Sequence, residues 1–138
     1  MQQALVSTSA PLLCRLDLSI VVTDSEIGFI TSDEPCVWYD PKAYTRPPLY
    51  RAPALIYETI EIALPISPNA VLYLNRQGIN GYKFANEELV DILNSRTRFD
   101  AHEYFIVNSN VKKDKWFDAR MEPDDSWEKV QERKKLKN

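Results

Sequence analysis

From Leu12 onward the even positions are apolar (Leu12, Cys14, Leu16, Leu18, Ile20 and Val22), while Arg15, Asp17, Ser19 and Thr23 fall between them. A period of two marks a strand with one buried face, so the even side chains are expected to point inward. Asp24–Gly28 supplies turn chemistry and Phe29–Ser32 resumes as a strand, which predicts an antiparallel hairpin. Asp33-Glu34-Pro35 interrupts it, because Pro35 pushes Glu34 out of the helical region. Cys36–Tyr39 is again β-like. The residues before Leu12, Met1–Ser9, have only weak helical spacing.

Ile56, Ile60, Ile62 and Leu64 alternate with Tyr57, Thr59 and Glu61, which predicts a strand over 56–64 with Glu61 on its polar side. Pro65–Asn69 turns the chain and Val71–Leu74 returns it as a second hairpin. Gln77–Gly81 is a loop. Asn86 has N-cap chemistry and is followed by Glu87 and Glu88, carboxylates suited to a helix N-terminus. Leu89, Ile92, Leu93 and Phe99 keep helical spacing with Arg96 at the edge, so the main helix is predicted over residues 87–101. Tyr104–Val107 returns as a strand. A short charged helix starts at Asp125-Ser126, anchored by Trp127 and Val130. The predicted fold is α+β: a mainly antiparallel sheet of two hairpins plus a further strand, packed against one main helix, with a short C-terminal helix. Ile60, Ile62, Leu64 and Val71 are expected to share one core with Leu89, Ile92 and Leu93.

Composition bounds this picture. A chain of 138 residues is one domain, long enough for its own core. Hydrophobic residues make up 44% and charged residues 27%, as in an ordinary globular protein. Three glycines against nine prolines argue for stiff loops and against a Gly-rich phosphate cradle. The net charge of −3 argues against nucleic acid as the partner. Residues 1–111 carry 8 Lys/Arg against 13 Asp/Glu and residues 112–138 carry 9 against 7, so a mildly basic tail follows an acidic body. Met1–Arg15 lacks the basic start and continuous apolar run of a secretory signal, and no stretch is apolar for the ~18 residues of a membrane span. A cytoplasmic protein follows, with Cys14 and Cys36 expected as reduced, buried thiols.

Three segments, taken in order, resemble the bacterial family called domain of unknown function 4238. They are Phe29-Ile30-Thr31-Ser32-Asp33-Glu34-Pro35, Leu64-Pro65-Ile66-Ser67-Pro68 leading into Val71-Leu72-Tyr73-Leu74, and Val90-Asp91-Ile92-Leu93-Asn94. Ile66 stands where the family usually has Leu, and Glu34 where it usually has Asn. The resemblance covers 29–108 and is to the family's C-terminal half. The usual N-terminal region, with its His- and Pro-containing start, has no counterpart here. The family carries no settled activity, so the resemblance implies no catalytic residues. It does imply a surface that the other half would cover. The Leu12–Val22 strand is the edge most exposed by that loss, and self-association or a protein partner is expected there.

Candidate chemistry is sparse. The single histidine, His102, suits a helix C-terminus by its dipole alone. Cys14, Cys36 and His102 lack the paired close spacing of a zinc site, and no metal site or cofactor is expected. Asp17, Asp24 and Asp33 lie around the first hairpin, and Asp40-Pro41-Lys42 has the D-x-K form of metal-dependent nucleases. There two carboxylates would hold Mg²⁺ while Lys42 stabilised the attacking water. Pro41 suits such a paired strand poorly, so the nuclease or phosphodiesterase reading is the alternative. Asp33 is read instead as a local turn cap, accepting an N–H two or three residues on. The loop Asp40–Pro53 and its flanks collect Trp38, Tyr44, Arg46, Tyr50 and Arg51, the residue types of interface anchors. The favoured reading is a non-catalytic, partner-dependent module contacting protein through this loop.

Overall fold

A computed structural model describes residues 11–117. The weak helical spacing of Met1–Ser9 and the predicted helix from Asp125-Ser126 lie outside the described residues. Strands β1 (Asp17–Val22), β3 (Val37–Tyr39), β4 (Glu61–Ser67), β5 (Ala70–Asn75) and β6 (Gly81–Phe84) form one sheet in the order β3-β4-β5-β1-β6. All its pairs are antiparallel except β1–β6. A second, two-stranded sheet joins β2 (Thr31–Ser32) to β7 (Phe105–Ile106). The fold is α+β and the larger sheet is mainly antiparallel, as expected.

The helix α1 spans Glu87–Asp100 and begins as its capping residues dictate. The Asn86 side chain accepts the Leu89 N–H at 3.1 Å, which satisfies an otherwise orphaned donor of the first turn. The β4–β5 hairpin also forms where expected, with a register shift between Pro65 and Ser67. A proline lacks the ladder N–H, and an irregular position of this kind tolerates it.

The first predicted hairpin does not form. Residues 29–32 never pair with β1. Thr31 and Ser32 pair instead with Ile106 and Phe105, across more than seventy residues of chain. Strand β1 is interior, held by β5 on one side and β6 on the other, so the expected open edge along Leu12–Val22 does not exist. Its inward face is also the reverse of the expected one: Ser19 and Val21 are buried, whereas Leu18 is 48% exposed. The 56–64 strand starts only at Glu61, because backbone bonds from Tyr57 to Ala54 and from Ile60 to Tyr57 fold 54–60 into turns.

Two cores replace the single expected one. Val71, Leu89 and Leu93 join Val21, Phe29 and Tyr73 between sheet and helix. Ile60 and Ile62 pack elsewhere, with Leu16 and Leu55, and Leu64 is only half-buried. Alternation explains the split, since neighbouring strand residues face opposite sides of the sheet. Glu61 and Ala63 point to the helix, which leaves Glu61 fully buried and not on a polar face. The register then places Leu18, Ile20 and Val22 of β1 beside Leu74 and Leu72 of β5 and beside Tyr82 and Phe84 of β6. This far face of the sheet carries no charge from these three strands. Phe99 is exposed on the last turn of α1 and is not part of its packed stripe. The cysteines are free thiols but exposed ones.

One junction locks the two sheets and the helix together. The Asn94 side chain donates to the Gly28 carbonyl at 2.9 Å and accepts the Ile30 N–H at 3.0 Å, wholly buried. The next residue along, Phe29, donates its N–H to the Pro68 carbonyl at 2.7 Å. Gly28 sits at φ +70°, and a Cβ there would lie 2.3 Å from that same carbonyl oxygen. The Phe29–Pro35, Pro65–Pro68 and Leu93-Asn94 segments are therefore neighbours in space. Asn94→Ala would strand a buried N–H and a buried C=O, at about 1–3 kcal/mol each. The expected loss of about 2–6 kcal/mol in urea unfolding should be matched or exceeded by Gly28→Ala, whose added methyl meets backbone.

Candidate functional site

Arg96 comes from the buried side of α1, three residues beyond the core residue Leu93, and projects onto Glu61 of β4. Their Nη1 and Oε2 atoms lie 2.6 Å apart, both side chains almost fully buried. The guanidinium also stacks 3.7 Å from the centroid of Tyr39 on β3. Burial works against the charge on Arg96. The Glu61 carboxylate, with Tyr73 and Tyr39 behind it, outweighs that penalty and holds the guanidinium above its ordinary pKa. The helix, β3 and β4 are thus joined by an almost fully buried ion pair.

Beside this pair, a cleft of about 500 Å³ opens between β3 and the C-terminal end of α1. Val37, Trp38, Tyr39, Pro53 and Phe99 give it apolar walls, while Asp40, Arg96 and Asp100 supply its ionic groups. Asp40 is buried and fully engaged. It accepts the Lys42 N–H at 2.9 Å, the Thr59 hydroxyl at 2.7 Å and the Arg46 guanidinium at 2.6 Å. Arg46 donates in turn to Thr59 at 3.1 Å and stacks 3.6 Å over the Tyr57 ring. Arg51 donates to the Arg46 carbonyl, and the Tyr57 hydroxyl to the Tyr50 carbonyl. The proline-dense loop is therefore braced across its base by one carboxylate, with short 3₁₀ turns at Ala43–Thr45 and Pro48–Tyr50.

The residues singled out as interface anchors divide by role. Tyr44 and Tyr50 are exposed on the loop. Arg46 and Arg51 bond inward and set the loop's shape. Trp38 stands on β3 and lines the cleft. Leu49, 92% exposed, and Ile56, 74% exposed, are more prominent than any of these. Composition could not single them out, since an aliphatic residue in a loop reads as core until the fold shows otherwise.

The candidate nuclease residues are dispersed. Asp17 on β1 accepts the Gly78 N–H at 3.0 Å. Asp24 is exposed in the loop after β1. Asp40 is tied to Arg46, and Lys42 contributes only its backbone N–H to Asp40. Among the described residues, no group of three or more His, Cys, Asp or Glu is placed to hold a metal ion.

Asp33 is not a local cap. Its two oxygens accept the N–H groups of His102 at 3.0 Å and Glu103 at 2.8 Å, pinning the exit of α1 to the end of β2. Ser32 does the local work, its Oγ accepting the Glu34 N–H at 3.1 Å. His102 is exposed just beyond the helix, attached to Asp33 through its backbone. A second cavity of about 310 Å³ lies close by, lined by Phe29, Thr31, Pro65, Pro68 and Ile106 among others. Among the described residues no helix is long and apolar enough to cross a membrane.

Two of these arrangements make measurable differences. Glu61→Gln or Arg96→Met alone leaves a buried, uncompensated partner and should cost about 3–5 kcal/mol in urea unfolding. The double variant Glu61→Leu/Arg96→Met should recover much of that loss.

For Asp33, desolvation pushes the carboxyl up, but the N–H groups of Glu103, His102, Asp33 and Tyr104 outweigh it and hold the group below its ordinary value of 3.8. A depressed folded pKa stabilises the native state above the unfolded value, and the contribution disappears as pH falls through the folded one. Protection of the His102 and Glu103 amides against exchange, relative to their intrinsic rates, should therefore fall below about pH 4. Asp33→Asn should show the lower protection already at pH 6.

Residues 1–111 match a family model described as Protein of unknown function (DUF4238). No curated protein and no solved structure shows a significant match.

Proposed function

We propose, for a chain that belongs to the DUF4238 family of proteins of unknown function, a non-catalytic role as a partner-dependent protein-binding module. The observation that carries this reading is the far face of the five-stranded sheet. Leu18, Tyr82 and Phe84 stand there 48%, 77% and 50% exposed, beside half-buried Ile20, Val22 and Leu72. Contiguous apolar surface of this kind on a soluble domain marks a contact, because leaving it in water forfeits the free energy of burial.

The Pro/Tyr/Arg loop supports the reading as a second contact. Its apolar tips, Leu49 and Ile56, project from a base that Asp40 and Arg46 hold rigid. A pre-shaped loop loses little conformational entropy on binding. The partner is a protein, either a second copy of this chain or another polypeptide. Cytoplasmic residence and a bacterial source belong to this reading as well.

A photo-reactive amino acid placed at Tyr82, at Leu49 and, as a control, at Asn108 tests it in cells producing the full chain. Crosslinking from Tyr82 or Leu49 to one discrete protein species, absent from Asn108, is the expected result. Equal background from all three positions would overturn the module reading. Phe84→Glu should abolish the Tyr82 crosslink while leaving thermal stability nearly unchanged, as fits a half-exposed side chain.

A further inference from the structure

We infer that the cleft between β3 and the C-terminal end of α1 is a binding site for a guanidinium group on an apolar stem, with Asp100 as its counter-ion. This goes beyond the sheet-face contact, rests on different residues and is tested by different variants.

The charges single out Asp100. Two of the cleft's ionic groups are already paired at 2.6 Å, Arg96 with Glu61 and Asp40 with Arg46. Among the described residues, Asp100 has neither an ion-pair nor a hydrogen-bond partner. Its surroundings oppose its charge. Partial burial and then the Glu34 carboxylate push its pKa up. It is also the last residue of α1, where the helix dipole disfavours an anion. A carboxylate that is uncompensated, repelled and misplaced for its helix is one that an added cation would relieve on every count.

The walls select the kind of cation. Trp38, Pro53 and Phe99 form an apolar lining around a volume in the range of small-ligand sites, which a hydrated metal ion would leave unfilled. An anion would meet Asp100 and Glu34. A neutral hydrophobe would desolvate Asp100 and leave it unpaired. A guanidinium on a methylene stem satisfies both halves of the site: the stem covers the aromatic walls, the planar head can stack on Trp38 or Phe99, and its fork matches a carboxylate bidentately. The protein already packs guanidinium over aromatic rings at Arg96–Tyr39, Arg46–Tyr57 and Arg98–Phe117.

The test titrates the full chain with N-acetyl-arginine methylamide and with its citrulline counterpart, which keeps the shape and lacks the charge. Binding is read from the Trp38 indole signal by NMR and confirmed by calorimetry. The arginine compound is expected to bind and the citrulline compound to bind at least about tenfold more weakly. Asp100→Asn should reduce arginine affinity by about tenfold or more and at the same time raise the unfolding temperature, a pairing of effects that a structural role for Asp100 would not produce. Trp38→Ala should weaken binding severalfold. Agmatine and an arginine-centred hexapeptide separate the sources of the group: tighter binding of the peptide assigns the site to a polypeptide, and equal binding assigns it to a free small molecule. Equal affinity for arginine and citrulline, unchanged affinity in Asp100→Asn, or no response at Trp38 would each overturn the assignment.

Discussion

A single buried ion pair underlies the arrangement of the helix on the sheet. Arg96 and Glu61 meet at 2.6 Å with both side chains almost fully buried, and each would be strongly destabilising there without the other. The pair fixes which face of α1 looks at the sheet and which residue of β4 looks back. It also constrains β3, because Tyr39 stacks on the guanidinium. A buried pair of this kind contributes little net stability compared with well-packed hydrophobes. What it contributes is register, since a one-residue slip of β4 would present Ile62 to Arg96 and leave a bare charge in the core.

The cleft is a consequence of the same constraint. Arg96 anchors the helix to β3 and β4, and Phe99 and Asp100 of its last turn line the cleft opposite Val37, Trp38 and Tyr39 of β3. The loop after β3 closes the other side, and its position depends on Asp40, whose carboxylate gathers Lys42, Arg46 and, from nineteen residues further along the chain, Thr59. Thus the walls of the cleft are held in place by two ion pairs, Arg96–Glu61 and Arg46–Asp40. Rigid supports beneath an exposed, varied lip are how loops come to carry function.

The sheet faces two different environments. Toward α1 it presents Val21, Val71 and Tyr73 together with buried polar residues, Ser19, Glu61 and Asn75. Asn75 is satisfied by the backbone of the 77–79 turn, as Asn94 is by Gly28 and Ile30. The far face is the more apolar by composition, yet among the described residues only one end of it is covered, by the cluster of Leu16, Leu55, Ile60 and Ile62. Among the described residues the more hydrophobic face is thus the less buried one, which is the reverse of what burial of apolar surface alone would select.

Local physics determined the elements whose signals lie within a few residues of one another. Asn86 with two following glutamates marked the start of α1, Pro65–Asn69 marked the β4–β5 turn, and the ordered motifs from Phe29 to Asn94 marked the family. Alternation located β1 but could not say which face is inward, because a period of two is the same for both. Here the inward choice was decided by polar partners far along the chain: Glu61 finds Arg96, Thr23 finds the Ala85 carbonyl at 3.0 Å, and Ile30 finds Asn94. Glu61, Thr23 and Asn94 read as surface or end-of-element residues when seen alone. For the same reason Asp33 resembled a local cap until His102 and Glu103 were brought to it, and residues 29–32 resembled half of a hairpin until β7 arrived. Strand pairing across seventy residues leaves no mark in a short window. The sequence by itself therefore determined the elements and the fold class, whereas tertiary structure alone decided the partners, the buried charges and the cleft, because those depend on contacts between residues that no local pattern connects.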